Sequence, residues 1–428
     1  MLQNKVVKNA SWIIGCRVIQ AVLALILSML TARFLGPSNF GVINYAASLV
    51  AFITPLMHLG ITNVIVREIV DNPDNEGEIL GSAICCCSLS AVLSILGLAV
   101  FVFFANASEK ETIIVCILYS ILLLCQAFEI TQYWFQAKLK SKYSSIIMLI
   151  AYFVTSIYKI ALLILQKNVY WFAISNALDY FLIAIGLFIV YKKLGGQKLS
   201  FSPTFAKKLL RTGKYYIISS MMVTIFAQTD KIMLKFMLDS ESVGFYSAAV
   251  ACAGMTSFLF SAIIDSFRPV IFENKNKDKY LYLSNLKLLY GIIIFVSLLQ
   301  SIVMTLFANL IIKILYGQQY LNAIPALQVV VWYTTFSYLG SVRNVWILAE
   351  NKQKYLWIIN LSGALLNVIL NFILIPVWGI VGAAVASLIT QIFTNVIIGF
   401  IIKAIRENNK IMFQSLNIRK LLKMLNSK

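Results

Sequence analysis

Long apolar runs alternate along this chain with short polar, mostly basic segments. A helix needs about 20 apolar residues to cross a bilayer. Twelve runs of that kind can be placed, at roughly 9–32, 40–66, 79–104, 112–136, 144–166 and 170–191, then 214–238, 243–266, 286–312, 323–349, 356–377 and 380–403. No connection between them exceeds about 25 residues, too few for a soluble domain. Six spans per half bring both halves into the membrane from the same side, which makes the repeats parallel. The pattern predicts an all-α polytopic membrane protein of about 12 transmembrane helices. They form two six-helix bundles related by a pseudo-twofold axis along the membrane normal. The expected divisions are an N-terminal bundle at 1–191, a cytoplasmic connector at 192–213, a C-terminal bundle at 214–403 and a basic cytoplasmic tail at 404–428.

Two echoes support a duplication. Arg33 to Ala47 (RFLGPSNFGVINYAA) resembles Lys235 to Ala249 (KFMLDSESVGFYSAA), and Trp134 to Tyr143 (WFQAKLKSKY) resembles Trp346 to Tyr355 (WILAENKQKY). The offsets, 202 and 212 residues, are nearly the same, as weak internal symmetry in transporter halves would give. Gly36-Pro37 predicts the first outer turn. Pro55 is expected to kink the second span near its middle. Pro325 and Pro376 fall near helix ends, where they cost little.

Composition agrees with a membrane chain: 60% of residues are hydrophobic, 12% are charged, and the mean hydropathy is +0.84. The formal net charge of +19 would suggest nucleic acid until its placement is followed. With the N-terminus inside, 27 of the 36 Lys and Arg fall in inside segments. Only Arg33, Lys110, Lys167 and Lys313 fall outside. By the positive-inside rule both termini are cytoplasmic, and no nucleic-acid partner is implied. The first apolar run continues to Ala32, too long for a secretory h-region, so it reads as an uncleaved first span. The seven Cys all fall in apolar runs, which favours small buried hydrophobes over disulfides or a metal site. Lys207, Lys208 and Arg211 in the connector suit anionic headgroups. So does a tail helix with Ile418, Leu421, Leu422 and Leu425 on one face. A solvated basic connector fits both segments equally well.

The informative charges lie inside the spans. The bases are Arg17, Lys159, Lys231, Lys235 and Arg343; the acids are Glu129, Asp179, Asp230 and, near an inner end, Asp265. Each ionised group costs about 2.5–3.5 kcal/mol at bilayer depth, so they must pair or share a polar interior. Lys159 and Asp179 sit at similar depth on consecutive spans and are expected to form a structural ion pair. Asn371 and Gln391 are their counterparts in the second half. Arg17, Lys231 and Arg343 have no acid at equal depth beyond Asp230 beside Lys231. They suggest a cavity that receives an anion, with Lys235 near an outer end. His58, the only histidine, can carry protons or sit as a buried, hydrogen-bonded side chain. Gln228, Asn371 and Gln391 are further polar candidates.

The amino end, NASWIIGCRVIQAVLALILSMLTARFLGPSNFGVINYAASLVAFITPLMHLGI, resembles that of bacterial polysaccharide repeat-unit flippases, the O-antigen and capsule exporters. TDKIMLKFML followed by VGFYSAA resembles their mid-chain signature, and the 6+6 layout also fits. The resemblance implies membership of the superfamily of multidrug exporters and peptidoglycan-lipid flippases. It implies transport of a polyprenyl-pyrophosphate-linked glycan across the bacterial inner membrane in lipopolysaccharide or capsule synthesis. Other polysaccharide assembly proteins are candidate partners. It implies no cofactor; coupling to proton, sodium or the membrane potential stays open, with Asp230, Asp179 and Glu129 as acids for an ion. Substrate contact would fall on Arg17, Lys231, Lys235, Arg343 and Asp230. The alternative is a cation-coupled multidrug exporter of the same superfamily, which would need embedded acids to outnumber bases. An enzyme is not expected: no acidic metal motif or His-containing dyad is present, and no loop is large enough for a chemical site.

Overall fold

The computed structural model describes residues 2–416, with side chains described at all of these positions except 2–14, Arg17, Tyr215 and Ser219. The expectations for Arg17 and for the Ile418, Leu421, Leu422 and Leu425 face therefore lie outside the described residues. Every regular element among them is helical. The chain divides into two compact units, Met1–Gln228 and Thr229–Lys428.

Unit 1 contains α1 (Leu2–Met57), α2 (Ile65–Asp71), α3 (Glu76–Ala105), α4 (Lys110–Ser120), α5 (Leu122–Glu129), α6 (Gln132–Ala137), α7 (Ser141–Ile164), α8 (Val169–Lys193) and the first part of α9 (Pro203–Met237). Unit 2 contains the end of α9, then α10 (Ser240–Gly254), α11 (Ser257–Lys277), α12 (Lys279–Leu306), α13 (Ala308–Leu315), α14 (Ile324–Ala349), α15 (Leu356–Ile392), α16 (Ile398–Ile401) and α17 (Arg406–Gln414). A π-helical turn, Phe393–Ile397, joins α15 to α16.

At 1.5 Å per residue, the 56 residues of α1 would far exceed a bilayer core of about 30 Å. Gly36 breaks the helix with φ 74° and ψ 170°, a conformation open to glycine, and Pro37 starts the next segment. Gly379 divides the 37-residue α15 in the same way, with φ 56° and ψ −131°. Among the described residues 8 helices are long and apolar enough to cross, or 9 if the pair α10 and α11, bent by 42°, is one span. Two of the eight are divided at Gly36 and Gly379. With α14 added, a buried helix carrying Arg343, the path is consistent with twelve crossings.

One expected boundary changes, and two segments gain contacts. The second span ends at Met57 rather than near 66. Pro55 lies two residues before that end, and Leu59 and Gly60 follow with positive φ, so the proline helps to terminate the helix. The connector 192–213 is docked on unit 1. Gln197 accepts from the Gly77 amide (3.0 Å), the Ser200 amide donates to Gly77 O (3.3 Å), and Ser82 Oγ accepts from the Ser202 amide (2.9 Å). A Cβ on Gly81 would lie 2.4 Å from Ser200 O, so this close approach requires glycine. These bonds fasten the connector to unit 1. In the tail, α17 packs its Asn408, Asn409, Ile411 and Met412 into unit 2. Tyr290 donates to Asn408 (2.7 Å), and Asn409 donates to Val396 O (2.7 Å).

The second sequence echo is also a structural one. Both copies end a helix with a residue of φ 54°, Leu139 and Asn351. The amide three positions past the helix end then reaches back to close the cap, Lys140 to Phe135 O (2.7 Å) and Lys352 to Ile347 O (2.9 Å). In each copy that lysine's ammonium returns over the buried indole, 5.4 Å from the Trp134 ring centroid and 4.4 Å from that of Trp346.

Candidate functional site

In unit 2 the polar interior is built around Asp230, which is buried on α9. Its Oδ1 accepts from Asn367 Nδ2 (3.2 Å) and Asn371 Nδ2 (2.7 Å), and its Oδ2 accepts from the hydroxyls of Ser387 and Tyr246. Asn367 and Asn371 are four residues apart on α15, so they share a helix face. Asn371 also donates to Asn367 Oδ1 at 3.1 Å. Two donors on each oxygen occupy about the full acceptor capacity of a carboxylate. Among the described residues no cation pairs with Asp230. Lys231, next in the chain and half-buried, acts on it electrostatically without a direct ion pair. The cost of carrying an acid within a span is met here by neutral donors, which suits a region where water is absent.

The second feature is Arg343, 6% exposed on α14. Nη1 donates to Thr394 O, Nη2 donates to Asn344 Oδ1 (3.1 Å), and Nε is buried without a partner. Thr394 lies in the π-helical turn. Such an insertion disturbs the regular helical ladder and lets a carbonyl serve a side chain. Gly340 allows the approach: a Cβ there would lie 2.3 Å from Asn395 Oδ1. Asn395 in turn donates to Gln391 Oε1. No carboxylate contacts Arg343 among the described residues. Lys235 is buried and donates to Ser240 Oγ (2.6 Å). It ties the end of α9 to the start of α10 and does not reach outward.

In unit 1 the expected ion pair is replaced by crossed contacts. Lys159 Nζ donates to Asn176 Oδ1 (3.3 Å), and Thr155 Oγ1 donates to Asp179 Oδ1 (3.4 Å). Thr155 is one turn before Lys159, and Asn176 is one turn before Asp179, so the two charges are offset along the facing helices α7 and α8. Glu129 accepts from Gln132 (2.9 Å). His58 follows the end of α1; its carbonyl accepts from Cys87 Sγ (3.6 Å), and its Nδ1 is buried without a partner. A cavity of about 180 Å³ opens beside Lys159, lined also by Ser28, Asn44, Tyr119, Tyr152 and Asn176. Among the described residues no group of three His, Cys, Asp or Glu is placed to hold a metal ion.

The structure thus joins Asp230 to Asn371, which the sequence offered as the counterpart of Lys159 and as a polar candidate. It leaves Lys231, Lys235 and Arg343 in separate surroundings. Sequence reasoning missed Tyr246, Asn367 and Ser387. The available signal was the pair Asn367 and Asn371, two amides on one face of an otherwise apolar run.

Comparison with known proteins gives this arrangement a family. The chain is 29% identical over 240 residues to an uncharacterized membrane protein of Methanocaldococcus jannaschii, covering 51% of this chain and 46% of that one. It is 23% identical to a protein proposed as an O-antigen transporter of Shigella flexneri, covering 89% of this chain and 94% of the relative. It is 24% identical to the corresponding Escherichia coli K12 protein, covering 89% and 91%. Among solved structures, an inward-facing multidrug resistance transporter of the MATE family, MOP superfamily, superposes with a TM-score of 0.66 at 14% identity, covering 92% of this chain and 96% of the other. The lipid II flippase MurJ superposes with a TM-score of 0.64 at 17% identity, covering 94% and 90%. At such identities these structures share the fold. The model of the polysaccharide biosynthesis protein family matches residues 6–275, more than half of the 428-residue sequence, and the chain belongs to that family.

Proposed function

We propose that this protein moves a polyprenyl-pyrophosphate-linked oligosaccharide repeat unit from the cytoplasmic to the outer leaflet of the bacterial inner membrane by alternating access, with both termini cytoplasmic. Its family and its O-antigen transporter relatives supply the substrate class. The observation that carries the chemistry is Arg343: a guanidinium buried within unit 2, held by neutral acceptors, with an unused Nε donor. A pyrophosphate is a dense anion, and a planar guanidinium matches its oxygens. Lys231 and Arg17 add positive charge for the same purpose, while Asp230 and Lys235 hold the frame of unit 2. Moving about two negative charges outward gains up to ~4.6 kcal/mol at 100 mV, inside negative. The membrane potential therefore assists export, and Asp179 and Glu129 are the acids through which proton or sodium coupling would add to it.

The multidrug-exporter reading fits less well. A cationic drug needs an available carboxylate, and the oxygens of Asp230 are already occupied by four donors. Deleting the gene in its host separates the two. Loss of surface polysaccharide, with lipid-linked repeat units accumulating on the cytoplasmic leaflet, is expected. Unchanged glycan display together with new drug sensitivity would overturn the flippase reading.

A further inference from the structure

The internal repeat sets two places side by side. By the 202-residue offset Ser28 is the counterpart of Asp230 and Asn44 that of Tyr246. By the 212-residue offset Lys159 is the counterpart of Asn371, Thr155 of Asn367 and Ser175 of Ser387. In unit 2 these positions close tightly around a carboxylate. In unit 1 the carboxylate is replaced by a hydroxyl, an amide is replaced by an ammonium, and the place is hollow.

The chemistry of that hollow is specific. Lys159 offers three N–H donors and uses one, toward Asn176. Ser28, Tyr119 and Tyr152 line the same cavity and bring hydroxyl groups that can donate. No acid lines it. Asp179, on the neighbouring helix, acts on Lys159 electrostatically but makes no direct ion pair with it, and it accepts from Thr155. About 180 Å³ is room for a small ion and a few waters, given about 30 Å³ per liquid water. One ammonium balances one negative charge; a divalent phosphate would remain half compensated in a low-dielectric site.

From this geometry we infer that the unit 1 cavity is a binding site for a small monovalent anion of the halide class, held by Lys159 and the hydroxyls of Ser28, Tyr119 and Tyr152. The site does not depend on the identity of the transported glycan. It places a soluble negative charge beside Lys159 at the counterpart of Asp230, in addition to the more distant carboxylate of Asp179.

The test is equilibrium binding of radiolabelled chloride to the purified full-length protein in detergent. Saturable binding of about one chloride per chain is expected, with inorganic phosphate failing to displace it. Lys159→Met should weaken it at least about tenfold. Ser28→Asp should do the same by a different route, since its carboxylate supplies a tethered anion opposite Lys159 and leaves the ammonium intact. Size-exclusion elution matching wild type shows that each variant is folded. Absence of saturable chloride binding by the wild type, or its survival in folded Lys159→Met or Ser28→Asp, would overturn the assignment. Displacement by phosphate would overturn the monovalent, halide-class selectivity.

Discussion

The two units solve the same problem with opposite signs. Unit 2 buries an acid and surrounds it with two amides and two hydroxyls drawn from α10 and α15. Unit 1 keeps a base at the counterpart of one of those amides, gives it a single amide acceptor, and leaves a cavity next to it. A duplicated fold therefore does not duplicate its electrostatics. The first place is closed and structural, because every polar atom of the carboxylate is satisfied. The second is open: a cavity lies beside its ammonium, which has one hydrogen-bonded acceptor.

The largest expected effect comes from breaking the closed place. Asp230→Ala strands four buried donors, at about 1–3 kcal/mol each where no alternative partner is found. A loss of several kcal/mol should lower folded yield and thermal midpoint sharply. Ser28→Ala, at the counterpart in unit 1, should stay within about 0.5 kcal/mol. Thermal unfolding of the purified variants followed by size-exclusion chromatography checks both, and equal losses would erase the contrast.

A smaller difference is expected where each unit is fastened to its flanking segment. A Cβ at Gly81 meets the Ser200 backbone carbonyl at 2.4 Å, whereas one at Gly399 meets the Asn409 side-chain amide at 2.2 Å. Backbone must shift in the first case and a side chain can turn in the second. Gly81→Ala should therefore cost about 1–3 kcal/mol and expose the connector to protease, and Gly399→Ala should cost less. Limited proteolysis across residues 192–202 reads the first effect directly.

The smallest effect separates the paired Trp loops. Lys140→Ala should cost about 0.5–1 kcal/mol, the scale of an exposed cation–π contact. Lys352→Ala should cost more, because that ammonium also donates to Ala404 O at 2.8 Å. Thermal midpoints of the two variants give the order.

Local and periodic features were legible in the sequence. Gly36-Pro37 marked a break, the two Trp-to-Tyr segments marked a repeat, and the charges inside apolar runs marked Asp230 and Arg343 as positions needing partners. The partners themselves were not legible. Asn367 and Ser387 meet Asp230 from 137 and 157 residues away, and counting acids against bases overlooks neutral amides and hydroxyls. The same counting matched Lys159 to Asp179 by depth alone, although an offset of one helical turn gives each a different neighbour. The tail was read as a basic cytoplasmic segment from its charge, while Asn408 and Asn409, the residues that fix α17 to unit 2, carry none.

The central claim is that cations within the membrane receive the pyrophosphate of a lipid-linked glycan. Its most direct test is surface glycan display by host cells expressing the Arg17→Ala, Lys231→Ala, Arg343→Ala triple variant at matched protein level, beside Arg343→Lys alone. Removing embedded charges lowers the cost of membrane insertion, so the triple variant should reach the membrane. It should nevertheless lose glycan display and hold lipid-linked repeat units on the cytoplasmic leaflet, while Arg343→Lys keeps the charge and part of the display. Full display from the triple variant would contradict the account.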